Sequence, residues 1–349
     1  MRIVVIDIAA DTGGAMTVLK DFYHYVSENN HDDEWVFILS DKYLEERDNI
    51  KILVRKDIKR NKIHRLLFDS LLGRFYINRL NPDVVFSLQN TTVSGLKCKQ
   101  IVYLHQPLPF QKERTFSFFK KDEFKLAFYQ KLIGSFIKKS IRNASKIIVQ
   151  TSWMKNAIVE QCRIKQDRIE RVMPSVRQIK QVENFDTIYR SFFYPTSDLL
   201  YKNNNIIYEA CSLLDERNYK YDFYITLDKP NTPVSNNIHF IGRLSYEEVI
   251  KKYQCCTLVH PSYIETFGYP LAEARKAGTI ILSSDTLFSR EILKDYENAY
   301  YFDYKDSYSL FNLLRDVIEK NIIWKSIKNN HQNETDSWKE VCRIIYENR

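Results

Sequence analysis

The sequence predicts an α/β protein built from two Rossmann-like β/α/β domains. Short apolar runs alternate with amphipathic helical stretches along the chain, a pattern typical of parallel sheets made of β-α-β units. The chain has 349 residues, which is enough for two domains of ordinary size. Hydrophobic residues make up 44% of it and aromatic residues 14%, which supports large packed cores and argues against disorder. We expect the two sheets to face a central cleft, where open α/β sheets bind ligands at the carboxyl ends of their strands.

The first domain is predicted over residues 1–175. Its strands are expected at six short apolar runs: Ile3–Ile6, Trp35–Leu39, Ile52–Val54, Val84–Ser87, Ile101–Leu104 and Ile147–Gln150. Its helices are expected at four amphipathic stretches: Ala15–Glu28, Ile63–Leu80, Phe124–Ile141 and Trp153–Val159. Around residues 172–183 the sequence becomes polar, which indicates a linker.

The second domain is predicted over residues 190–330. Its strands are expected at five runs: Ser191–Tyr194, Phe223–Thr226, Ile238–Ile241, Thr257–Val259 and Ile280–Ser283. Residues 331–349 hold a last helix, Ser337–Tyr346, which follows a polar spacer at residues 329–336. We expect that helix to return to the first domain.

The cysteines and the first residues predict a cytoplasmic protein. Six cysteines show neither a C-x-x-C pair nor a zinc-binding spacing, so we expect buried thiols in a reducing compartment. The chain enters a strand directly from Met1, without the order of regions found in a signal peptide. No apolar run approaches the ~20 residues that span a bilayer.

The most informative stretch of the chain reads HPSYIETFGYPLAEARKAG and covers residues 260–278. A buried strand ends there and a helix is expected from Leu271 to Lys276, with Pro270 at a position where its missing N–H costs nothing. Four backbone amides at the helix start would then face an anion, which the helix dipole also favours. These amides belong to Thr266, Phe267, Gly268 and Tyr269.

Two carboxylates flank that anion-binding helix start. Glu265 and Glu273 would repel a phosphate, so they more plausibly accept hydrogen bonds from hydroxyls beside it. Backbone amides that donate hydrogen bonds to a phosphate, flanked by two carboxylates that accept from hydroxyls, suit a nucleotide sugar. Two isolated glutamates would be better explained as a helix carboxylate and a solvated loop charge, but the Pro-Ser, Phe-Gly-Tyr-Pro and Ala-Gly context at fixed offsets favours a motif.

This segment resembles the E-x7-E signature of the retaining glycosyltransferases of family 4, which have the GT-B fold. The resemblance runs through PSYIETFGYPLAEARKAGTIILSSD and departs from the family modestly at Arg275 and Lys276. It implies transfer of a sugar from a nucleoside diphosphate donor to a hydroxyl acceptor, with retention at the anomeric carbon. It further implies that Glu265 holds the donor sugar as part of the catalytic machinery and that Glu273 holds the ribose.

Two features of the first half are candidates by the same resemblance. Gly13 and Gly14 follow the first strand, where family members carry a Gly-Gly turn near the donor phosphates and the acceptor. The alternative is a tight strand-to-helix turn. His105 ends a strand, where related proteins place a histidine beside the donor sugar, and a lone histidine could equally be structural.

Lys202 resembles the lysine of the element that neutralises the diphosphate in family 4. The arginine of that element is missing, since Ser197 and Asp198 occupy its region, and Arg243 is one substitute. Arg243 could also be a surface residue on a turn. The chain contains no D-x-D, so we expect charge neutralisation without a metal and no cofactor other than the nucleotide-sugar substrate.

A basic and aromatic segment spans residues 110–146. It contains ten basic residues against three acidic ones, interleaved with phenylalanines, as expected for an element that lies on an anionic membrane. A solvated helix face is the alternative, and nucleic acid is a poorer explanation because no recognition motif accompanies the charge. The surface cations singled out are Lys120, Lys121, Lys138 and Lys139.

These observations predict a glycosyltransferase that acts on a lipid-linked glycan in bacterial O-antigen, capsule or exopolysaccharide assembly, in the cytoplasm and peripherally on the inner face of the membrane. Two alternatives stay open. A nucleotide-sugar 2-epimerase shares the GT-B architecture but needs no acceptor, and a non-catalytic scaffold would dock on the membrane and bind donor poorly.

Overall fold

The computed structural model describes residues 1–10, 13–59, 62–177, 179–182, 186–326 and 336–349, with Lys62 and Ile63 described by their backbone alone. The chain forms two compact units. Unit 1 comprises residues 1–175 and 333–349, and unit 2 comprises residues 176–332. The predicted spacer at residues 329–336 lies outside the described residues except for Asp336. In the predicted linker at residues 172–183, Gln178 and Glu183 lie outside them.

Unit 1 is built on a parallel sheet of seven strands in the order β3-β2-β1-β4-β5-β6-β7. The strands are β1 (Arg2–Asp7), β2 (Glu34–Leu39), β3 (Ile50–Val54), β4 (Val84–Ser87), β5 (Lys99–Leu104), β6 (Lys146–Val149) and β7 (Ile169–Arg171). The central strands β1 and β4 are buried on both faces, as their unbroken apolar runs predict. Strand β7 was not predicted from the sequence.

Eight described α-helices belong to unit 1, and seven of them precede unit 2 in the chain. They are α1 (Gly13–Asn29), α2 (Lys56–Lys59), α3 (Lys62–Leu67), α4 (Gly73–Arg79), α5 (Phe124–Phe128), α6 (Gly134–Ser140) and α7 (Ser152–Cys162). A π-helical turn at Phe68–Leu72 joins α3 to α4, and another at Tyr129–Ile133 joins α5 to α6. The two long helices that the sequence predicts are therefore each interrupted by one widened turn.

Unit 2 repeats the same design on a parallel sheet of six strands in the order β10-β9-β8-β11-β12-β13. The strands are β8 (Ser191–Tyr194), β9 (Asp222–Ile225), β10 (Ile238–Phe240), β11 (Thr257–His260), β12 (Ile281–Ser284) and β13 (Ala299–Phe302). The helices are α8 (Asn204–Glu216), α9 (Tyr246–Tyr253), α10 (Tyr269–Ala277), α11 (Leu287–Ile292) and α12 (Ser307–Ile318). Strand β13 was not predicted from the sequence.

The last helix, α13 (Ser337–Glu347), packs within unit 1. Its apolar side joins the core formed by α1 and the central strands, with Trp338 against the rings of Phe22 and Tyr103 at centroid distances of 5.1 and 5.6 Å. The Tyr346 hydroxyl donates to the Asp33 carboxylate at 2.7 Å. The final residues therefore stabilise the unit that contains the first ones.

Both sheets have the strand order of doubly wound α/β folds, and the predicted α/β class with two Rossmann-like domains is confirmed. In each sheet the order reverses between two central strands, β1 and β4 in unit 1 and β8 and β11 in unit 2. Ligands of such sheets bind outside the carboxyl ends of the strands at this switch point. The candidate side chains are therefore described from those strand ends.

Candidate active site

The switch point of unit 2 brings together two loops that are far apart in sequence. The loop after β8 contains Lys202, and the loop after β11 contains Glu265. The amide of Tyr263 donates to the Tyr201 carbonyl at 3.1 Å, and the Ser262 hydroxyl donates to the same carbonyl at 3.3 Å. These bonds hold the two loops side by side.

Lys202 and Glu265 form an ion pair at this point. The Lys202 Nζ donates to Glu265 Oε1 at 2.5 Å, and each side chain is 18% exposed. Burial by itself would raise the pKa of Glu265, but the adjacent Lys202 ammonium and its hydrogen bond outweigh burial and lower the pKa of that carboxyl. Glu265 is therefore ionised at neutral pH.

His260, the last residue of β11, lies behind this ion pair. Its ring is fully buried between Tyr194 and Phe288, with centroid distances of 5.7 and 6.0 Å. Its Nε2 lies 4.0 Å from Glu265 Oε1, and neither ring nitrogen has a hydrogen-bond partner among the described residues. Burial lowers the pKa of His260 to about 4, so the imidazole is neutral.

Helix α10 presents its N-terminus beside the same loop. Gly268 caps the helix with a φ of 84°, a left-handed conformation that favours glycine, and no side chain caps the helix there. The amides of Phe267 and Gly268 donate no hydrogen bond within the described part of the chain. Thr266 and Tyr269, the other two predicted contacts, have further interactions within the protein. Helix dipole and open amides together make this end suitable for an anion.

Glu273 lies in the second turn of α10. The Tyr253 hydroxyl donates to its Oε2 at 3.1 Å. Burial raises the pKa of Glu273 to about 7, because this carboxyl has no nearby cation comparable to Lys202 to offset the desolvation. The two glutamates of the motif therefore differ in charge state near neutral pH.

Two cations of unit 2 were predicted, and their settings differ. Lys202 closes a 3₁₀ turn at Leu200–Lys202, and α8 begins at Asn204, so the lysine lies just before the first helix of unit 2. Arg243 is exposed and follows Gly242, whose φ is 65°. No described contact joins Arg243 to the Lys202–Glu265 pair.

The candidates of the first half lie at the carboxyl edge of the unit 1 sheet, where the two glycines follow β1 at the switch point and His105 follows β5, one strand beyond it. Gly13 begins α1 with a φ of 65°, and a Cβ on Gly13 or Gly14 would have no atom within 4 Å, so space is open above this turn. Asp11 and Thr12 of the same turn lie outside the described residues. His105 follows β5, and burial lowers its pKa to about 4.

The hydrogen bonds of His105 fix its tautomer. The His105 amide donates to Asn90 Oδ1 at 2.8 Å, so the other amide atom of Asn90, Nδ2, faces His105 Nε2 at 3.3 Å. Since Nδ2 is a donor, Nε2 accepts, and the proton of the neutral ring sits on Nδ1. Nδ1 is buried and has no partner among the described residues. At that atom His105 can donate a hydrogen bond but cannot take up a proton.

Asn90 and His260 were not singled out from the sequence. Both follow or end a strand beside a switch point, which is the signal that could have identified them. Among the described residues, no group of three His, Cys, Asp or Glu side chains could hold a metal ion.

The basic segment of unit 1 is partly neutralised by its own ion pairs. Lys120 and Arg114 both contact the buried Glu123, at 3.5 and 2.5 Å, and Lys138 is half-buried over the Phe110 ring. Lys120, Lys121 and Lys139 are exposed, as are Lys125 and Lys131. The exposed positive charge therefore lies at positions only partly the same as those singled out from the sequence.

Comparison with known proteins agrees with this architecture. The family model described as glycosyl transferases group 1 matches residues 170–334. No curated protein sequence matches the chain.

Three solved structures show the same arrangement over almost their whole length. The lipopolysaccharide outer core galactosyltransferase WaaB in its apo form is 16% identical, with a TM-score of 0.68 and coverage of 99% of both chains. WaaG, a glycosyltransferase involved in lipopolysaccharide biosynthesis, is 14% identical, with a TM-score of 0.67 and coverage of 99% of this chain and 95% of the other. HepE from Anabaena, in complex with UDP and glucose, is 13% identical, with a TM-score of 0.64 and coverage of 100% and 95%. The fold is therefore GT-B, and together with the family match it supports a glycosyltransferase of that class.

Proposed function

We propose that this protein is a retaining, metal-independent glycosyltransferase of family 4 that transfers a sugar from a nucleoside diphosphate to a hydroxyl of a lipid-linked glycan. The observation that carries the proposal is the Lys202–Glu265 ion pair beside the start of α10, which has no side-chain cap. A lysine and open amides suit a diphosphate, and a carboxylate beside them suits sugar hydroxyls.

The leaving diphosphate is the centre of the proposed mechanism. As the glycosidic bond breaks, negative charge grows on the phosphate oxygens, and donors placed there stabilise the transition state. Lys202 supplies a full charge and the amides of Phe267 and Gly268 supply partial ones. Glu265 holds the donor sugar, Glu273 accepts from the ribose hydroxyls, and Arg243 lies on the loop expected near the base.

Three of the similar proteins support the substrate classes. HepE was solved with UDP and with UDP-glucose, and WaaB and WaaG are described as lipopolysaccharide enzymes. We therefore propose a nucleotide-sugar donor and an acceptor in bacterial surface-polysaccharide assembly.

The decisive experiment is a thermal-shift panel of UDP, GDP, dTDP and CMP. One nucleotide should stabilise the protein, by ~2.7 kcal/mol at 100 times its dissociation constant. The matching nucleotide sugar, incubated with membrane-extracted glycolipid, should then yield a lengthened glycan. A free epimerised sugar would indicate the epimerase, and no nucleotide binding would indicate the scaffold.

Replacing the two glutamates by alanine should have different effects on catalysis. Glu273→Ala should raise the donor dissociation constant, whereas Glu265→Ala should mainly lower turnover, because the ribose contact persists into the transition state while the sugar ring moves. Steady-state kinetics separates the two effects. Variants that both behave as wild type would remove the motif from the active site.

Donor binding should also depend on pH through Glu273. Its pKa is raised to about 7, and a neutral carboxyl accepts a hydrogen bond from a hydroxyl less well than a carboxylate. The dissociation constant of the stabilising nucleotide should therefore rise as pH falls from 8 to 6. Calorimetric titration of Glu273→Gln should give a flat profile, and an unchanged slope in that variant would contradict the assignment.

We further propose that unit 1 binds an anionic membrane surface, which would place the protein at the inner face of the cytoplasmic membrane. Phe119 is fully exposed next to Lys120 and Lys121, and Phe124 at the start of α5 and Leu132 in the π turn after it are at least half exposed. Helices α3 and α4 and their connecting π turn expose a second apolar set: Leu66, Leu67, Leu71, Leu72 and Phe75. Exposed apolar side chains among cations are expected of an interfacial element. No described helix is long and apolar enough to cross a bilayer.

Changing four exposed lysines of this surface to glutamate should abolish binding to vesicles. The changes are Lys121→Glu, Lys125→Glu, Lys131→Glu and Lys139→Glu, and each near-surface cation contributes ~1 kcal/mol. Sedimentation with vesicles of phosphatidylglycerol and phosphatidylcholine measures the effect, which should weaken with added salt. The control carries the same charge change on exposed lysines of unit 2, at Lys220, Lys229, Lys251 and Lys294. Equal sedimentation of the two variants would contradict the proposal that unit 1 binds an anionic membrane.

A further inference from the structure

His260 is buried in unit 2 with both of its ring nitrogens unsatisfied. Its side chain is 0% exposed, and neither Nδ1 nor Nε2 has a hydrogen-bond partner among the described residues. Burying a polar group without a partner costs free energy, and the great majority of buried polar side chains are satisfied. A phenyl ring would fill the space between Tyr194 and Phe288 without that cost. The imidazole therefore requires an explanation beyond packing.

The Glu265 carboxylate lies just beyond hydrogen-bonding distance of this ring. Glu265 Oε1 is 4.0 Å from His260 Nε2 and 2.5 Å from Lys202 Nζ, so the same oxygen faces both groups. Because a hydrogen bond between nitrogen and oxygen spans ~2.7–3.2 Å, a movement of ~1 Å would bring Nε2 into range. The oxygen has one bonded donor, Lys202, and a second one within reach.

The sheet holds His260 in place, whereas Glu265 lies in a loop. Strand pairing sets His260 opposite Ser283 of β12, and the Ser284 hydroxyl donates to the His260 carbonyl at 3.2 Å. Glu265 belongs to residues 261–268, which connect β11 to α10. A movement that closes the gap is therefore expected of the carboxylate, toward a fixed ring.

The proposed function supplies a reason for that movement. Lys202 is proposed to contact the diphosphate, and an ammonium that turns to a phosphate leaves its former carboxylate without a counter-ion. Burial would then raise the pKa of Glu265, which the adjacent Lys202 lowers in the free protein. A hydrogen bond to Oε1 offsets this effect, and a neutral imidazole with its proton on Nε2 can donate one.

We propose that His260 is a positioning residue, which donates from Nε2 to Glu265 Oε1 when Lys202 leaves that oxygen for the diphosphate of the bound nucleotide. The carboxylate then stays ionised and oriented toward the donor sugar after its counter-ion has moved. No proton is transferred, since the imidazole keeps the same proton before and after binding. This rests on the proposed function and names the residue that allows the ion pair to open.

NMR of the ring nitrogens tests the new hydrogen bond. The seven histidines are labelled with ¹⁵N, and the His260 signals are identified by their loss in His260→Phe. The probes are UDP, GDP and dTDP. The diphosphate that binds should move the Nε2 proton of His260 downfield, and the ring should remain neutral with its proton on Nε2. An unchanged signal in a protein that binds nucleotide, or a proton on Nδ1 in the complex, would overturn the proposal.

Two variants separate this hydrogen bond from packing. His260→Phe keeps an aromatic ring without a donor, and it should raise the dissociation constant of the nucleotide about tenfold, the effect of losing one hydrogen bond to a charged group. His260→Gln has an amide N–H that can take the place of Nε2–H, and it should restore part of the affinity. His260→Phe should also resist urea better than wild type, because two unsatisfied nitrogens are gone. Lower stability with unchanged affinity would assign the ring to packing.

A double-mutant cycle shows whether His260 acts through Glu265. In the Glu265→Ala background no carboxylate receives the bond, so His260→Phe should leave the nucleotide dissociation constant unchanged. An equal loss in both backgrounds would contradict the proposal. The matched control is Trp35→Phe, which changes another fully buried ring with an unpartnered nitrogen, in the core of unit 1, and should bind nucleotide as wild type does.

The outcomes distinguish this proposal from the proposed function. A wild type that binds none of the three diphosphates would count against the glycosyltransferase itself. A wild type that binds one of them, with no response at His260 and no coupling to Glu265, would overturn the role of His260 alone.

Discussion

Replacing Lys202 by alanine should lower turnover by roughly 10²-fold, the loss expected when one electrostatic donor to a developing charge is removed. The departing diphosphate needs positive charge, and the helix start at α10 supplies only partial charge. The arginine that the family places near this lysine is missing, because Ser197 and Asp198 stand in its region. Lys202 is therefore the best-placed full charge beside Glu265.

The same variant should change the pH profile. Without Lys202, burial dominates the environment of Glu265, and the pKa of Glu265 should rise above its present lowered value. The acid limb of the rate profile should then move to higher pH. Lys202→Arg should restore part of the rate, and Lys220→Ala, at an exposed lysine of the same unit, should have little effect.

Stopped assays of sugar transfer at several pH values, with and without EDTA, measure both expectations. Activity should survive EDTA, because metal-dependent transferases use an Asp pair that this sequence lacks. Transfer abolished by EDTA and restored by Mg²⁺ would contradict the metal-free mechanism. Unchanged turnover in Lys202→Ala would redirect attention to Arg243.

Asp7→Asn should stabilise the protein above pH 7, by on the order of 4 kcal/mol. Burial raises the pKa of Asp7 to about 7, and Arg65 and Lys59 offset this only in part. A carboxyl with a raised pKa binds its proton more tightly in the folded state, so wild type loses stability as pH rises from about 4 to 7. Asparagine carries no such charge, and its advantage should grow over that interval and then level off.

Urea unfolding at pH 4, 5, 6, 7 and 8 measures this difference. Asp285→Asn is the matched control, because Arg290 lowers the pKa of the Asp285 carboxyl. That variant should lose stability as pH rises, and only slightly, because the ion pair is half exposed. If the Asp7→Asn variant is less stable than wild type at pH 8, the Asp7 carboxylate must have a structural partner in the folded protein.

Much of the fold could be predicted from local sequence. The central strands, such as Val84–Ser87 and Ser191–Tyr194, are short apolar runs buried on both faces, and periodicity alone identifies them. Helix α13 was equally clear, because its apolar residues recur at helical spacing. The two missed strands are edge strands. β7 reads Ile-Glu-Arg and has no apolar run. β13 reads Ala-Tyr-Tyr-Phe but buries only one of its four residues fully, and pairing with β6 or β12 places each of these segments in its sheet.

The widened turns in the two long helices were also beyond prediction. Gly73 and Gly134 each follow a π turn, and a Cβ on Gly73 would lie 2.8 Å from the Val93 side chain, while one on Gly134 would lie 3.0 Å from Pro109. The close contacts come from loops distant in sequence. The periodicity of apolar residues predicts a continuous helix in both places.

For the candidate site, the sequence by itself determined which loops carry the chemistry, because the motifs are local patterns. These patterns are the spacing of Glu265 and Glu273, Gly268 two residues before Pro270, and the strand that ends at His105. Only the tertiary structure decided the state of each group. It set Lys202 against Glu265 across 63 positions of sequence, and it left Glu273 without a comparable cation. It also buried Asp7 at a switch point without a partner for one oxygen. Charge state and hydrogen-bond satisfaction depend on which neighbours the strand order brings close, and that order is not written in any one segment of the chain.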